Sequence, residues 1–232
     1  VTFQGTSGAA LGTTMTVQGF WEGGDLYRVR FAPSKTGEWS WQSFSSDVGL
    51  NNQSGAFTCA GALAAPHVSM RGHVRESKAY PYTFAHADST PFFLLGDTQW
   101  SFATDSISWP TEFQTYVDAR AAQGFNYVHG LVYNVYPVGN EGNEGGPIFY
   151  GGSVDSLNPG FFQALDRRVA YMNEKGLVVG LVLAWGNSGW QNFSTAEQVE
   201  RFTQYLLNRY GAFNVFWILA GEYEEGEPAG GY

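Results

Sequence analysis

From Pro91 onward, the chain alternates apolar runs with helix-like segments, and this alternation constrains its fold most. Apolar runs of strand length lie at residues 92–97, 125–132, 177–184 and 214–220. They lack the polar–apolar alternation of a half-exposed strand, which is typical of strands buried on both faces of a parallel sheet. Strand–helix–strand order therefore predicts a parallel α/β sheet with right-handed crossovers.

Helical patterns are expected between these runs. The first begins at Ser108 and ends at Gly124, and the third opens with a capping box over residues 194–197. The second ends at Lys175–Gly176 and has an apolar stripe: Phe162, Leu165, Val169 and Met172. Four strand–helix units in series are half of an eightfold barrel. An open doubly wound sheet is the alternative, although no G-x-G-x-x-G segment follows the first strand.

Residues 1–68 have a different pattern, with short strands separated by turn signals. The predicted strands are Met15–Phe20, Leu26–Phe31, Glu38–Gln42 and Gly55–Cys59. A linker is expected at 61–66, followed by a β-hairpin within 68–90. The sequence thus predicts a multidomain β plus α/β protein. An immunoglobulin-like β-sandwich over 1–68 precedes the first half of a (β/α)8, or TIM, barrel over 69–232.

Composition and charge limit the classes of molecule that the protein is expected to bind. A net charge of −9 and a pI near 4.8 disfavour nucleic acid and anionic membranes. No apolar run reaches the length of a membrane span, and the four histidines are scattered. We therefore expect no metal and no cofactor. The chain starts at Val1 without a signal peptide, which indicates a processed or truncated form. One cysteine excludes an internal disulfide framework but not secretion to an extracellular or periplasmic space.

Polar and aromatic side chains collect at the predicted carboxyl ends of the strands, which face one mouth in a barrel. Carboxylates and tryptophans without metal-ligand spacing favour glycoside hydrolysis. One carboxyl group would protonate the leaving oxygen, and the other would attack the anomeric carbon or activate water. Glu222 is the catalytic candidate. The candidates for substrate binding are Asp97, Trp100, His129, Asn134, Trp185, Asn187, Trp190 and Tyr223.

Several candidates have a simpler interpretation. Glu222 could only begin a polar loop, Asp97 could hold a neighbouring arginine, and His129 could be a hydrogen-bonded core residue. Trp185 stands at a strand end, which favours a platform for a sugar ring. Glutamates in the glycine-rich segment 139–146 would repel phosphate, so we expect a mobile loop over a cleft there.

Four segments resemble the apiosidase-like glycoside hydrolases: Phe92–Trp100, Ala119–Asn126, Arg209–Tyr210 and Trp217–Glu222. The segments 19–24 and 28–33 resemble the β-sandwich that often precedes their barrel. The resemblance implies a secreted bacterial enzyme of a retaining clan that cleaves O-glycosidic bonds in a plant or microbial polysaccharide. A non-catalytic carbohydrate-binding or surface-assembly protein that reuses the fold is the alternative.

The resemblance also implies an acid/base carboxylate at the end of the fourth strand, which is Glu222 here. Many members carry Asp at this place. A nucleophile is implied at the end of the seventh strand. Because the sequence stops at Tyr232 after the fourth predicted strand, the nucleophile and second half of the barrel are expected on a continuation of this chain or on another chain.

Overall fold

The computed structural model describes residues 1–61, 71–133, 142–185 and 192–222. Contacts divide the chain into two compact units. One comprises Val1–Pro66 with Tyr205–Ala212, and the other comprises His67–Gln204 with Phe213–Tyr232. The predicted linker lies almost wholly outside the described residues.

The first unit is built from antiparallel strands. The strands are β1 (Thr2–Gly5), β2 (Thr14–Thr16), β3 (Phe20–Gly23), β4 (Leu26–Arg28), β5 (Gly37–Gln42) and β6 (Ser54–Cys59). The sheet has the order β2-β1-β5-β6, and a separate hairpin joins β3 to β4. Phe3 and Trp39 are buried in its core, and Phe31 stacks on Phe3 with ring centroids 3.9 Å apart. The sequence did not predict β1, because its four residues are too few to show a period.

Residues 205–212 pack within this first unit. The buried Arg209 guanidinium forms an ion pair with Glu22, with Nη1 3.1 Å from Oε2, and lies over the Phe20 ring. Arg30 donates to the Arg209 carbonyl at 2.8 Å. Opposite charge and an aromatic face compensate the buried guanidinium, as a charge removed from water requires.

The second unit contains an antiparallel meander and a parallel sheet. The meander comprises β7 (Val74–Glu76), β8 (Phe84–His86) and β9 (Pro91–Phe92). The parallel sheet follows sequence order: β10 (Gly96–Thr98), β11 (Tyr127–Leu131), β12 (Val178–Val182) and β13 (Val215–Ile218). The helices are α1 (Thr111–Ala122), α2 (Pro159–Glu174) and α3 (Ala196–Tyr210), of which residues 205–210 of α3 belong to the first unit. The predicted parallel α/β arrangement is confirmed.

The parallel sheet has one face that contacts helices, called here the helix face. Registered neighbours share a face, which places Asp97, Val128, Val179 and Val215 together. The three valines are buried. Asp97 reaches side chains of α1, and α2 packs on β12. Aliphatic side chains thus fill this layer, as expected for a sheet covered by helices.

The other face contacts the meander at one end and is called the meander face. Val74 and Phe92 of the meander pack there against Tyr127, Val178 and Phe216. Burial raises the pKa of Tyr127 to about 12, so its hydroxyl stays neutral. The next register position along the sheet holds Thr98, His129 and Gly180. At this position of β10, β11 and β12 the meander face is therefore polar or without a side chain, between the aromatic Tyr127 and the buried apolar pair Leu131 and Val182.

The first predicted strand, residues 92–97, is wrong as one buried run. Phe92 pairs within the meander, whereas Gly96 begins the parallel sheet, so the chain changes sheets between them. Phe93 is 81% exposed. The Asn126 amide bridges the crossing, since it donates to the Phe93 carbonyl at 2.6 Å and accepts from the Leu95 amide at 2.9 Å. Hydrogen bonding thus replaces the burial that the apolar sequence predicted.

The mobile loop predicted at 139–146 is instead held by hydrogen bonds in its described part, residues 142–146, as is the segment that continues to 158. Asn143 donates to the carbonyls of Ala103 and Phe161, and Asn158 donates to those of Gly145 and Pro147. Gly145 has no room for a Cβ against the Gly160 carbonyl. Amide side chains satisfy the backbone here, which fixes a segment whose composition resembles a flexible loop.

The capping box of the third helix is shifted by one residue. Thr195 Oγ1 accepts from the Gln198 amide at 3.3 Å, and the Gln198 side chain accepts from the Ser194 amide at 2.7 Å.

In the described part of the chain, no helix is long and apolar enough to cross a membrane.

Candidate active site

A cluster of three aromatic side chains, Trp100, His129 and Trp185, lies towards the carboxyl ends of the parallel strands. Trp100 follows β10, and Trp185 follows β12. Their rings meet edge-to-face with centroids 4.6 Å apart, and Trp100 contacts His129 of β11 at 5.6 Å. Trp100 keeps 38% of its surface exposed. Tryptophans held against each other with one partly open to solvent can offer a flat apolar surface to a sugar ring.

Gly221 links this aromatic cluster to Glu222. Trp185 and Gly221 form a parallel bridge, in which the Gly221 amide donates to the Ala184 carbonyl at 3.2 Å. A Cβ at position 221 would collide with the Trp185 indole, so only glycine lets the ring lie this close. The next residue, Glu222, is exposed and has a left-handed backbone with φ of 48°. This conformation costs a non-glycine residue about 1–2 kcal/mol, and such strain clusters at functional sites.

His129 lies on the meander face, and its ring contacts that of Trp100 edge-to-face. Its Nε2 pairs with Thr98 Oγ1 at 3.1 Å, and its buried Nδ1 has no hydrogen-bond partner among the described residues. Burial lowers the pKa of His129, and the nearby Asp97 charge opposes this only in part. The imidazole is therefore neutral at neutral pH and can serve as a hydrogen-bonding group beside the tryptophans.

Asp97 lies on the helix face, away from His129 and Trp100. Its carboxylate accepts hydrogen bonds from the Arg120 guanidinium, from the Tyr116 hydroxyl at 3.0 Å and from the Thr98 amide at 2.8 Å. Burial works against ionisation, but these bonds outweigh it and hold the pKa of Asp97 below its ordinary value. The structure matches the interpretation in which Asp97 holds a neighbouring arginine.

The structure thus brings together Trp100, His129 and Trp185, places Glu222 one residue after the Gly221 that packs on Trp185, and puts Asp97 on the opposite face of the sheet from His129. Four other candidates lie outside the described residues: Asn134, Asn187, Trp190 and Tyr223. Within 1–61, 71–133, 142–185 and 192–222, no cluster of His, Cys, Asp and Glu could hold a metal ion.

Sequence comparison identifies the family. The model of the apiosidase-like catalytic domain matches residues 79–228, more than half of the chain. The chain belongs to the apiosidase-like family. The resemblance inferred from the motifs is thereby confirmed. A domain of unknown function (DUF5060) matches residues 1–46, and no curated protein matches the chain.

Solved structures similar to this apiosidase-like chain show the same fold. A candidate glycoside hydrolase from Bacteroides vulgatus is 24% identical with a TM-score of 0.74, and the match covers 98% of this chain and 46% of that protein. A glycoside hydrolase family 5 protein from the same organism is 23% identical with a TM-score of 0.55, over 66% of this chain and 33% of that protein. The chain therefore spans less than half the length of both.

Two residues of the apiosidase-like chain that matter to the site were not among the sequence candidates. Gly180 faces His129 from the neighbouring strand, and a Cβ there would collide with His129 and Tyr127. Arg168 is buried on α2, between Leu165 and Val169 of the predicted apolar stripe. A charged residue at a core position of a helix signals a buried, paired guanidinium, and this signal was available in the sequence.

Proposed function

We propose that this apiosidase-like chain supplies the acid/base part of a glycoside hydrolase that cleaves O-glycosidic bonds in a plant or microbial polysaccharide. The observation that carries the proposal is the position of Glu222. Glu222 is exposed, has a strained backbone and directly follows Gly221, against which Trp185 packs. A sugar ring stacked on the tryptophans would thus lie beside a carboxyl group able to protonate a leaving oxygen.

The second carboxylate of the site belongs, in this proposal, to a segment beyond residue 232. In a retaining enzyme it attacks the anomeric carbon and lies about 5–5.5 Å from Glu222. In an inverting enzyme it activates water from about 6.5–9.5 Å. We favour the retaining reaction, with Glu222 acting first as acid and then as base.

Exposed apolar residues beside the outermost strands of the parallel sheet support a further part of the proposal. Leu94 and Leu95 precede β10, and Leu219 follows β13; the three are 38%, 41% and 68% exposed. The second half of a (β/α)8 barrel, on this chain's continuation or on another chain, would cover such edges. The intact mass of the purified protein tests this part. We further propose a secreted bacterial enzyme whose residues 1–68 form an accessory β-sandwich.

Replacing the proposed acid tests the function directly. In the full-length protein, Glu222→Gln should lower hydrolysis of natural glycosides by about 10²–10⁴-fold, the usual contribution of general acid catalysis. Activated aryl glycosides should lose much less, because their leaving phenolate needs no proton. Glu200→Gln is the matched control, since Glu200 is an exposed carboxylate on α3.

Equal losses on both substrate types would exclude Glu222 as the acid. Retained activity on both would do the same. A wild-type protein that binds oligosaccharides but cleaves none would favour the non-catalytic carbohydrate-binding alternative.

A further inference from the structure

The side chain of Arg168, on α2, is completely buried. Its Nη1 donates to three backbone carbonyls: Phe102 at 3.0 Å, Thr104 at 3.1 Å and Ile107 at 2.9 Å. Its Nη2 donates to Glu144 Oε2 at 2.8 Å. One planar guanidinium thus joins three carbonyls and a carboxylate, a geometry that lysine cannot reproduce.

A buried guanidinium paired with a partly exposed carboxylate is a poor source of stability alone: the Arg168 side chain is fully buried, whereas that of Glu144 is 25% exposed. Removing a charge from water costs several kcal/mol, and apolar side chains of equal volume often stabilise a fold as well or better. Burial opposes ionisation of Glu144, but the Arg168 hydrogen bond outweighs it and lowers the pKa of Glu144. Both partners are therefore charged. The arrangement calls for a role in fixing geometry rather than in stability alone.

The partners of Arg168 belong to two segments that each follow a strand of the parallel sheet. Residues 102–107 follow β10, and Glu144 lies in a turn between β11 and α2. The same segments meet in two other hydrogen bonds. Asn143 donates to the Ala103 carbonyl at 3.0 Å, and the Asp105 amide donates to the Gly142 carbonyl at 3.0 Å. We call this set of contacts around the guanidinium the Arg168 junction.

The Arg168 junction lies next to Trp100 along the chain. Phe102, whose carbonyl binds Arg168, is fully buried two residues after Trp100. The Trp100 carbonyl accepts from the Leu131 amide at 3.1 Å, which fixes the other side of this short segment. The backbone at Trp100 is therefore held by the strand on one side and by the junction on the other.

We propose that Arg168 is a positioning residue for carbohydrate binding: through residues 102–107, it sets Trp100 against Trp185 and so sets the sugar platform beside Glu222. This proposal rests on the proposed glycosidase function. Arg168 is buried and acts through Trp100.

A double-mutant cycle tests this role in the full-length protein. Arg168→Lys keeps the charge, but a lysine cannot bind the three carbonyls and Glu144 together. We therefore expect KM for a polysaccharide substrate to rise about tenfold. Misplacement of a binding group by about 1 Å can cost up to about 10²-fold. In a Trp100→Ala background, Arg168→Lys should change KM by less than about twofold, since the group it positions is gone. A structural role alone predicts that the two effects on KM multiply, which would overturn the proposal.

Arg167→Lys is the matched control. Arg167 is the next residue of α2, its side chain is 50% exposed, and it pairs with the other oxygen of Glu144 at 3.1 Å. Its Nη1 donates to the Gln163 carbonyl of its own helix at 3.4 Å, so its replacement should leave KM within about twofold. An equal rise of KM in Arg167→Lys and Arg168→Lys would mean that the charge on Glu144 matters rather than the junction, and would overturn the proposal.

A spectroscopic readout separates this inference from the proposed function. Two indoles in contact give an exciton couplet in circular dichroism, which Trp100→Phe and Trp185→Phe should each remove. Arg168→Lys should weaken that couplet at temperatures where the protein remains folded, whether or not the protein hydrolyses glycosides. An unchanged couplet overturns the positioning role. Glu144→Gln should weaken it less, because Arg168 keeps its three carbonyls, and this variant serves if Arg168→Lys fails to fold.

Discussion

The two faces of the parallel sheet are built from alternate residues of the same strands, yet they differ in chemistry. The helix face carries Val128, Val179 and Leu181, which are all fully buried. The meander face carries Thr98 and His129 at the next positions along the same strands. Strand alternation places these sets on opposite sides, so the helix face is apolar at positions where the meander face includes polar groups. If the proposed function holds, we expect a substrate near the polar groups of the meander face.

The largest expected loss of stability comes from a mutation on the helix face. Leu181→Ala removes a fully buried side chain and should lower the free energy of unfolding by about 2–5 kcal/mol. At temperatures where the variant is folded, KM for oligosaccharides should stay unchanged, because the mutation lies behind the sheet. Denaturant unfolding and steady-state kinetics measure the two effects. A large change of KM with little loss of stability would break the distinction between the faces.

A smaller effect on stability is expected from the meander face. Gly180→Ala places a methyl group against His129 and Tyr127, so these side chains must shift, at a cost of about 1–3 kcal/mol in unfolding free energy. The Thr98–His129 hydrogen bond should be disturbed and the environment of Trp100 should change. Near-ultraviolet circular dichroism of folded protein measures this. Val179→Ala, one residue earlier on the helix face, is the control and should leave that spectrum unchanged.

The smallest effect is expected at Asp97, the charged residue of the helix face. Asp97→Asn removes its ion pair with Arg120, which is about one third exposed, and should cost about 1 kcal/mol or less. Because folding lowers the pKa of Asp97, its stabilisation is present above the unfolded pKa near 4 and is lost as pH falls through the lower folded value. The variant should lack this part of the acid sensitivity in pH-dependent thermal unfolding. A marked rise in KM would instead support contact between Asp97 and substrate.

The sequence predicted the helices and three of the parallel strands well, because each carries a long periodic or continuous apolar pattern. The stripe Phe162, Leu165, Val169 and Met172 is buried as expected. Prediction failed where tertiary hydrogen bonds replaced a local pattern. Asn126 divides the run at 92–97 between two sheets, and Asn143 fixes a segment that composition marks as flexible. Such bonds join residues far apart in sequence, so no local period records them.

The sequence predicted which edge of the sheet carries the candidate site, but not how its side chains are arranged there. Strand ends indicated Trp100, Trp185 and Glu222, because carboxyl ends of parallel strands share one edge. Asp97 has the same position in sequence, but the strand alternation turns it to the helix face. Its face could have been read by pairing it with Val128, once the register between the two strands is known.

The close packing of Trp185 on Gly221 has a consequence for how this site can vary. Any side chain at position 221 would require a smaller residue at position 185, so the two positions should change together among descendants of a common ancestor. Redesign of the sugar platform faces the same restriction. A library that varies residue 185 alone can only enlarge the space there, whereas one that varies both positions could move the aromatic surface to the other strand end.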